Sequence, residues 1–506
     1  MNRTTLSLIA ATAVLAAVTG FAAATAPGGG DDTAKAAARL PVERSSLLCP
    51  APSTSDLADT SYTSFTPVSK AAGSSGKAAL SPATRELKGS AGSGQGQGKG
   101  KGQSKADKPV LSPGKPGGPV AAEASGADSP ALVGTADGNL APGWTVQQTT
   151  TVAAGTGRGL LGVNCSAPDT DFWFPGASTA KERSDYIHLT NPDDSAAVVD
   201  VQLYGPNGAL KSDLGEGVQV DPHSSVPVLL STLTDKPQTN LTLHVTARSG
   251  RVAATVLAAD DKLGGDWLPA SADPASTVVL PGIPKDATSV RLVAYTPGDN
   301  DADLKIQLAS PSGRITPAGH ESLHVKSGMT AAVDLGDVTR GEAGSLVLTP
   351  TENAVPVVAA LQVVRGKGSQ QEMAYIPATR PVGERATVAD NRAKGSTLSL
   401  TALGRSGTVR VTASAGTEGG TPVTKTYTVK GGTTTAVQPP VPAGLKGTYA
   451  LTVEQVSGGE VYGSRMLDVP DPDVPGLPMF TVQTLPDDRG TVSVPRADQD
   501  LSVLQK

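Results

Sequence analysis

The chain has 506 residues, a net charge of −5, two cysteines and 3% aromatic residues. At roughly 100–150 residues per domain, that length holds three to five domains. Mild acidity argues against a nucleic-acid partner, which wants a basic face. Two cysteines exclude a disulfide-rich scaffold and a Cys-based zinc cluster.

Residues 1–26 read as a secretory signal peptide or an uncleaved signal anchor. Arg3 gives a positive start, Leu6 to Phe21 carries no charge, and Ala22-Ala23-Ala24 offers a small-residue cleavage site. The run is shorter than the roughly 20 residues that span a bilayer, so a membrane contact is expected only through an uncleaved anchor. Export places the rest of the chain outside the cell or in the envelope. In that oxidising setting Cys49 and Cys165 are expected to pair.

Residues 40–182 form an N-terminal β domain, with strand candidates at Leu47-Leu48-Cys49 and Tyr62 to Phe65. Within it, residues 71–130 read as a disordered insert. The run Gly92 to Lys101 has too little apolar surface to offset its ordering entropy. Lys99, Lys101, Lys105 and Lys108 make the insert locally basic, which suits a solvated loop better than a docking site for anionic polymer. Ser74-x-x-Lys77 falls in the same segment, where nothing would hold a nucleophile.

From Arg183 onward the chain repeats itself. Pro192, Pro206 and Gly208 recur as Pro297, Pro311 and Gly313, at a constant shift of 105 (Pro192 to Pro297). Apolar positions alternate at Ile187/Leu189, Val199/Val201/Leu203, Val218/Val220, Val226/Val228/Leu230, Leu241/Leu243/Val245 and Val252/Ala254/Val256. Period 2 puts one face of each strand inward and leaves Asp200, Gln202 and Thr242 outside. With the strand around Trp267 that makes seven strands, the immunoglobulin-like count. The expected units are repeat 1 at 183–272, repeat 2 at 285–380 and a fainter repeat 3 at 394–485, with a C-terminal tail at 486–506. Each unit closes on a small-residue strand, then a large apolar residue and Pro: Phe172-Trp173-Phe174-Pro175, Trp267-Leu268-Pro269 and Tyr375-Ile376-Pro377. Trp173 and Trp267 are expected to pack inside rather than stack sugars, while the third tryptophan, Trp144, marks where structure resumes after the insert. The fold class is mostly β: tandem immunoglobulin-like sandwiches after a leader.

Two motifs approach chemistry. His320-Glu321-Ser322-Leu323-His324 matches HExxH, a zinc metallopeptidase string that works when a helix brings both His to one ion. Here Gly319 precedes it and Leu323/Val325 alternate as a strand, which separates the imidazoles by roughly 13 Å. Asp299, Asp301 and Asp303 give half a calcium loop, but Leu304 and Ser310 stand where the Gly and Glu are needed. His188, His223 and His244 are expected at the surface. No catalytic, cofactor or metal residue is assigned, and an enzyme is not expected.

The order of leader, Cys49-Pro50, Cys165-Ser166-Ala167-Pro168, Phe172 to Gly176, Leu189-Thr190-Asn191-Pro192 and Gly250 to Ala254 resembles a family of exported actinobacterial (Streptomyces-type) proteins of unknown function. The resemblance implies a secreted or cell-envelope protein accessory to surface glycan assembly, partnered by an envelope protein or polysaccharide, and brings no catalytic residues. The expectation is a non-enzymatic stalk or docking scaffold. The alternatives are an array of carbohydrate-binding modules and, remotely, the His320/Glu321/His324 metallopeptidase.

Overall fold

The computed structural model describes residues 38–69, 73, 75–83, 85–86, 108–212, 214–469, 474 and 476–494. The leader, Ser74, Lys99, Lys101 and Lys105 lie outside the described residues. Among the described residues there is no α-helix, and none long and apolar enough to cross a membrane. Ala38–Pro41 and Thr491–Val494 pair as a separate two-stranded ribbon. The rest, from Pro41 to Thr491, is four β-sandwich domains.

Repeat 1 sets the pattern. One sheet runs Asp171–Ala177, Leu241–Ser249, Ala197–Gly205, with the short Gly208–Leu210 and Val218–Val220 both on the last strand. The facing sheet runs Gly264–Leu268, Ala253–Asp260, Tyr186–Thr190, Ser224–Leu229 and, added in parallel from the N-terminal domain, Arg85–Glu86. Alternation explains the core: Val199, Val201, Leu243 and Val245 from one sheet meet Ile187, Leu189, Ala254 and Val256 from the other, all buried. Repeat 2 reproduces this strand order between Val278–Ile283 and Gln370–Pro377. Repeat 3 does so between Arg385–Asn391 and Phe480–Thr484.

Three boundaries expected from the sequence move. Phe172-Trp173-Phe174-Pro175 is the opening strand of repeat 1, paired with Leu241–Ser249, and not the closing strand of the preceding domain. The N-terminal domain closes instead on Gly159–Asn164, so repeat 1 begins near 171 rather than 183. Repeats 2 and 3 likewise begin at 278 and 385. Opening and closing strands share an apolar-then-Pro signature for different reasons. In the opening strands Pro175-Gly176 and Pro281-Gly282 make a bulge, with the register slipping there and the glycines at φ 105 and 90. Repeat 3 slips between Val388 and Asn391, where Asp390 takes φ 54.

The N-terminal domain has the same two layers. One is Arg44–Cys49, Leu132–Asp137, Ala78–Pro82; the other is Gly159–Asn164, Thr145–Val152, Ala58–Phe65, Val120–Ser125. The expected disordered insert is therefore overdrawn. Ala78 and Leu80 enter the core beside Trp144, and Leu80 bridges Leu111. Short apolar alternation inside a Gly/Ser-rich stretch is enough to place a strand when a neighbouring strand supplies its ladder.

The four domains close into a ring, not a stalk. The closing strand of each lies beside the next: Gly159–Asn164 by Gly264–Leu268, that by Gln370–Pro377, that by Phe480–Thr484, and that again by Gly159–Asn164. At their meeting point sits the fully buried Asp266. Its carboxylate accepts the Gly162 amide at 3.0 Å from the N-terminal domain and the Thr481 hydroxyl at 3.0 Å from repeat 3. It also accepts the Tyr375 amide of repeat 2 and, at 2.8 Å, the amide of its neighbour Trp267. One side chain thus bonds to all four domains. Burial pushes its pKa well above the usual carboxylate range, against the pull of those donors.

Candidate functional site

Three of the opening strands stay paired in their own sheet and lie over the outer face of the next domain. Repeat 1 covers repeat 2: Trp173, 7% exposed, lies between His244, with rings 3.6 Å apart, and Tyr295, at 5.2 Å, and packs on Val358. Thr242, expected outside, is buried in this seam and bonded to Thr330 of repeat 2 at 3.0 Å. Repeat 2 covers repeat 3 through a hydroxyl chain, Ser345 to Thr401 at 2.7 Å and Thr401 to Thr434 at 3.0 Å. A Cβ on Gly282 would run into Ser464 there. Repeat 3 covers the N-terminal domain: Arg385 bridges Asp488 at 2.6 Å and the Pro142 carbonyl, and Thr387 donates to the Gly143 carbonyl.

The fourth seam is different. The outer face of repeat 1 should be covered by the opening strand of the N-terminal domain, Arg44–Cys49. At one end the seam is shut, by Leu257 and Trp267 against Ala58, Leu161 and Val163. At the other end a cavity of about 810 Å³ separates Ser46, Leu47 and Leu48 from His188, Thr190, Ala253 and Thr255. Residues just past all four closing strands reach it: Cys165, Pro269, Ala378 and Pro486.

The repeat explains the opening residue by residue. At the shift of 105, His188, Thr190, Ala253 and Thr255 occupy the places of Val293, Tyr295, Val358 and Ala360. In repeat 2 the last four are buried under the opening strand of repeat 1. In repeat 1 the positions of Tyr295 and Val358 carry smaller side chains, and those of Val293, Tyr295 and Ala360 carry more polar ones. His188 is 5% exposed and stands edge-on to Trp267 at 5.2 Å. Burial lowers its pKa to about 4, so the imidazole is neutral at pH 7. Its Nδ1 has no hydrogen-bond partner, and neither has the buried Oδ1 of Asn164, which also lines the cavity. Charges of both signs stand at the rim: Arg251 pairs with Asp193 and Arg380 with Asp273, while Arg44, Asp169, Asp487 and Arg489 also line the cavity.

Cys49 and Cys165 form a disulfide, with Cα atoms 4.4 Å apart, that ties the opening strand Arg44–Cys49 to the residue after the closing strand. Contrary to the sequence reading, His188 is not a surface residue. His244 is half-buried against Trp173, and His223 holds Asp194 at 2.6 Å. His324 lies on the strand Ser322–Val325, where it meets Asp303 at 2.7 Å and Asp301 at 3.5 Å, so the helix an HExxH zinc site requires is replaced by a ladder. The same contacts make Asp301 and Asp303 ion-pair partners. Among the described residues no cluster of three His, Cys, Asp or Glu could hold a metal. Trp144, Trp173 and Trp267 are 5%, 7% and 1% exposed, so all three pack inside. The seam itself escaped the sequence reading. Its one trace is the exchange of Val, Tyr and Ala for His, Thr and Thr between otherwise matching repeats.

One family model, described as a family of unknown function (DUF5719), matches residues 120–440, more than half of the chain. That stretch runs from the strand Val120–Ser125 into repeat 3. A search of the curated proteins finds no match.

Proposed function

Since the chain belongs to the DUF5719 family, whose function is open, we propose from its geometry that it is a non-enzymatic interaction protein, exported to the cell envelope or medium of an actinobacterium. The observation that carries this reading is the ring. Four closing strands meet on the buried Asp266, whose bonds join the domains, and one of the four seams holds a cavity. A closed ring with a cavity in one seam suits the capture of an envelope component, and service to surface glycan assembly fits that role. The Cys49–Cys165 disulfide is compatible with export. Fractionation of a Streptomyces-type host producing the tagged full-length chain tests the reading. The chain is expected in envelope or medium, with both thiols oxidised. A cytoplasmic, reduced pool would overturn it.

A further inference from the structure

We infer that the open seam binds an extended, uncharged peptide segment of a partner protein, with an aromatic side chain anchored over Thr190 and Ala253. The inference builds on the interaction role proposed above and gives the partner a chemistry. Its first support is the fold's own precedent. Three equivalent faces are each covered by an extended segment: Asp171–Ala177, Val278–Ile283 and Arg385–Asn391. The fourth segment, Arg44–Cys49, stands across a cavity from the face it would cover, its end held by the disulfide to Cys165. The cavity of about 810 Å³ falls in the range of roughly 300–1,000 Å³ typical of ligand sites.

The second support is side-chain size. Over repeat 2, Trp173 packs on Tyr295 and Val358. Over repeat 1 the same two places hold Thr190 and Ala253, so a ring can sink further. The third is polarity. Asn164 Oδ1 is a buried acceptor without a donor, and neutral His188 has a ring nitrogen without a partner. A peptide backbone supplies both an N–H and a carbonyl at one residue's spacing. The paired rim charges, Arg251 with Asp193 and Arg380 with Asp273, offer no field of one sign, which favours an uncharged ligand over a phosphorylated or polybasic one.

The test uses the purified full-length chain and an N-acetylated, C-amidated peptide copying Phe172 to Ala177, titrated by calorimetry with the His188 imidazole signal followed by NMR. Binding of one peptide per chain with a shift at His188 is expected. Replacing the peptide's Trp by Ala, or making Thr190→Tyr in the protein, should weaken it by roughly tenfold or more. Ala253→Val is a second, gentler filling variant, and unchanged thermal melting certifies the fold of each. Absence of binding, or equal binding to both filled variants, overturns the inference. So does maltohexaose shifting His188 in the peptide's place, or self-association of the chain that Thr190→Tyr abolishes. None of these outcomes bears on where the cell sends the protein, so this test and the fractionation fail separately.

Discussion

Repeat 1 takes part in two seams that share a design and differ in outcome. Its opening strand shuts the face of repeat 2, where Trp173 is wedged between His244 and Tyr295. Its own face, built on the same ladder, borders a cavity where the buried His188, Thr190 and Thr255 stand. Backbone topology is common to both, so it does not decide whether a seam closes. A few outward-facing side chains decide it. Val293, Tyr295 and Val358 present apolar area worth roughly 25 cal/mol per Å² once covered. His188 presents a ring nitrogen that a covering strand would have to satisfy, while the Thr190 hydroxyl is already bonded to Ser225 at 3.0 Å.

The comparison can be broken most forcibly at its common anchor. Asp266→Ala should cost about 3–5 kcal/mol in denaturant unfolding, because it leaves the Gly162 and Tyr375 amides and the Thr481 hydroxyl buried without an acceptor. Its raised pKa adds a sign: the stability tied to its proton is present below the ordinary carboxylate value and is lost as pH rises through the raised one. Asp266→Asn should flatten that slope.

Trp173→Ala should open the closed seam at a cost of about 3–5 kcal/mol, read from the same unfolding curves. A loss under about 1 kcal/mol would mean that the ring does not depend on this wedge.

At the open seam the effects are smaller. His188 has its pKa lowered to about 4 from 6.5, so the folded state resists protonation and stability falls as the pH drops from 6.5 toward 4. His188→Val, which installs the residue of repeat 2, should remove that acid-side loss and leave neutral-pH stability equal or higher. Melting temperatures measured across that pH range decide it. Smallest of all, His324→Ala should change stability by no more than about 0.5 kcal/mol, since its contacts with Asp301 and Asp303 lie at an exposed edge.

Much of each sandwich was readable from alternation, because a period of 2 with one buried face leaves little freedom: Ile187 and Leu189, or Leu241 and Leu243, could face only a core. The shift of 105 carried that pattern from repeat 1 to repeat 2 without a structure. The disulfide was expected from two thiols behind a leader that reads as an export signal. What alternation hides is a second burial. Thr242 and Asp266 occupy outward positions, which in a lone domain would be solvated, and the ring buries them. The same blindness misplaced Phe172 to Pro175. An aromatic strand ending in Pro serves a closing edge or an opening bulge equally well, and only its partner, Leu241–Ser249, distinguishes them. The candidate site was hidden more deeply, because its walls come from all four domains. Cys165, His188, Ala378 and Pro486 have no spacing in common.

The central claim, that equivalent faces of repeats 1 and 2 differ in access, is tested most directly by thiol labelling. Both native cysteines are locked in the disulfide, so an added thiol reports alone. Thr255→Cys and Ala360→Cys occupy the same place in the two repeats. With iodoacetamide under native conditions, Thr255→Cys should label at least about tenfold faster, while Ala360→Cys stays protected until the ring opens. Equal protection of the two thiols would contradict the account.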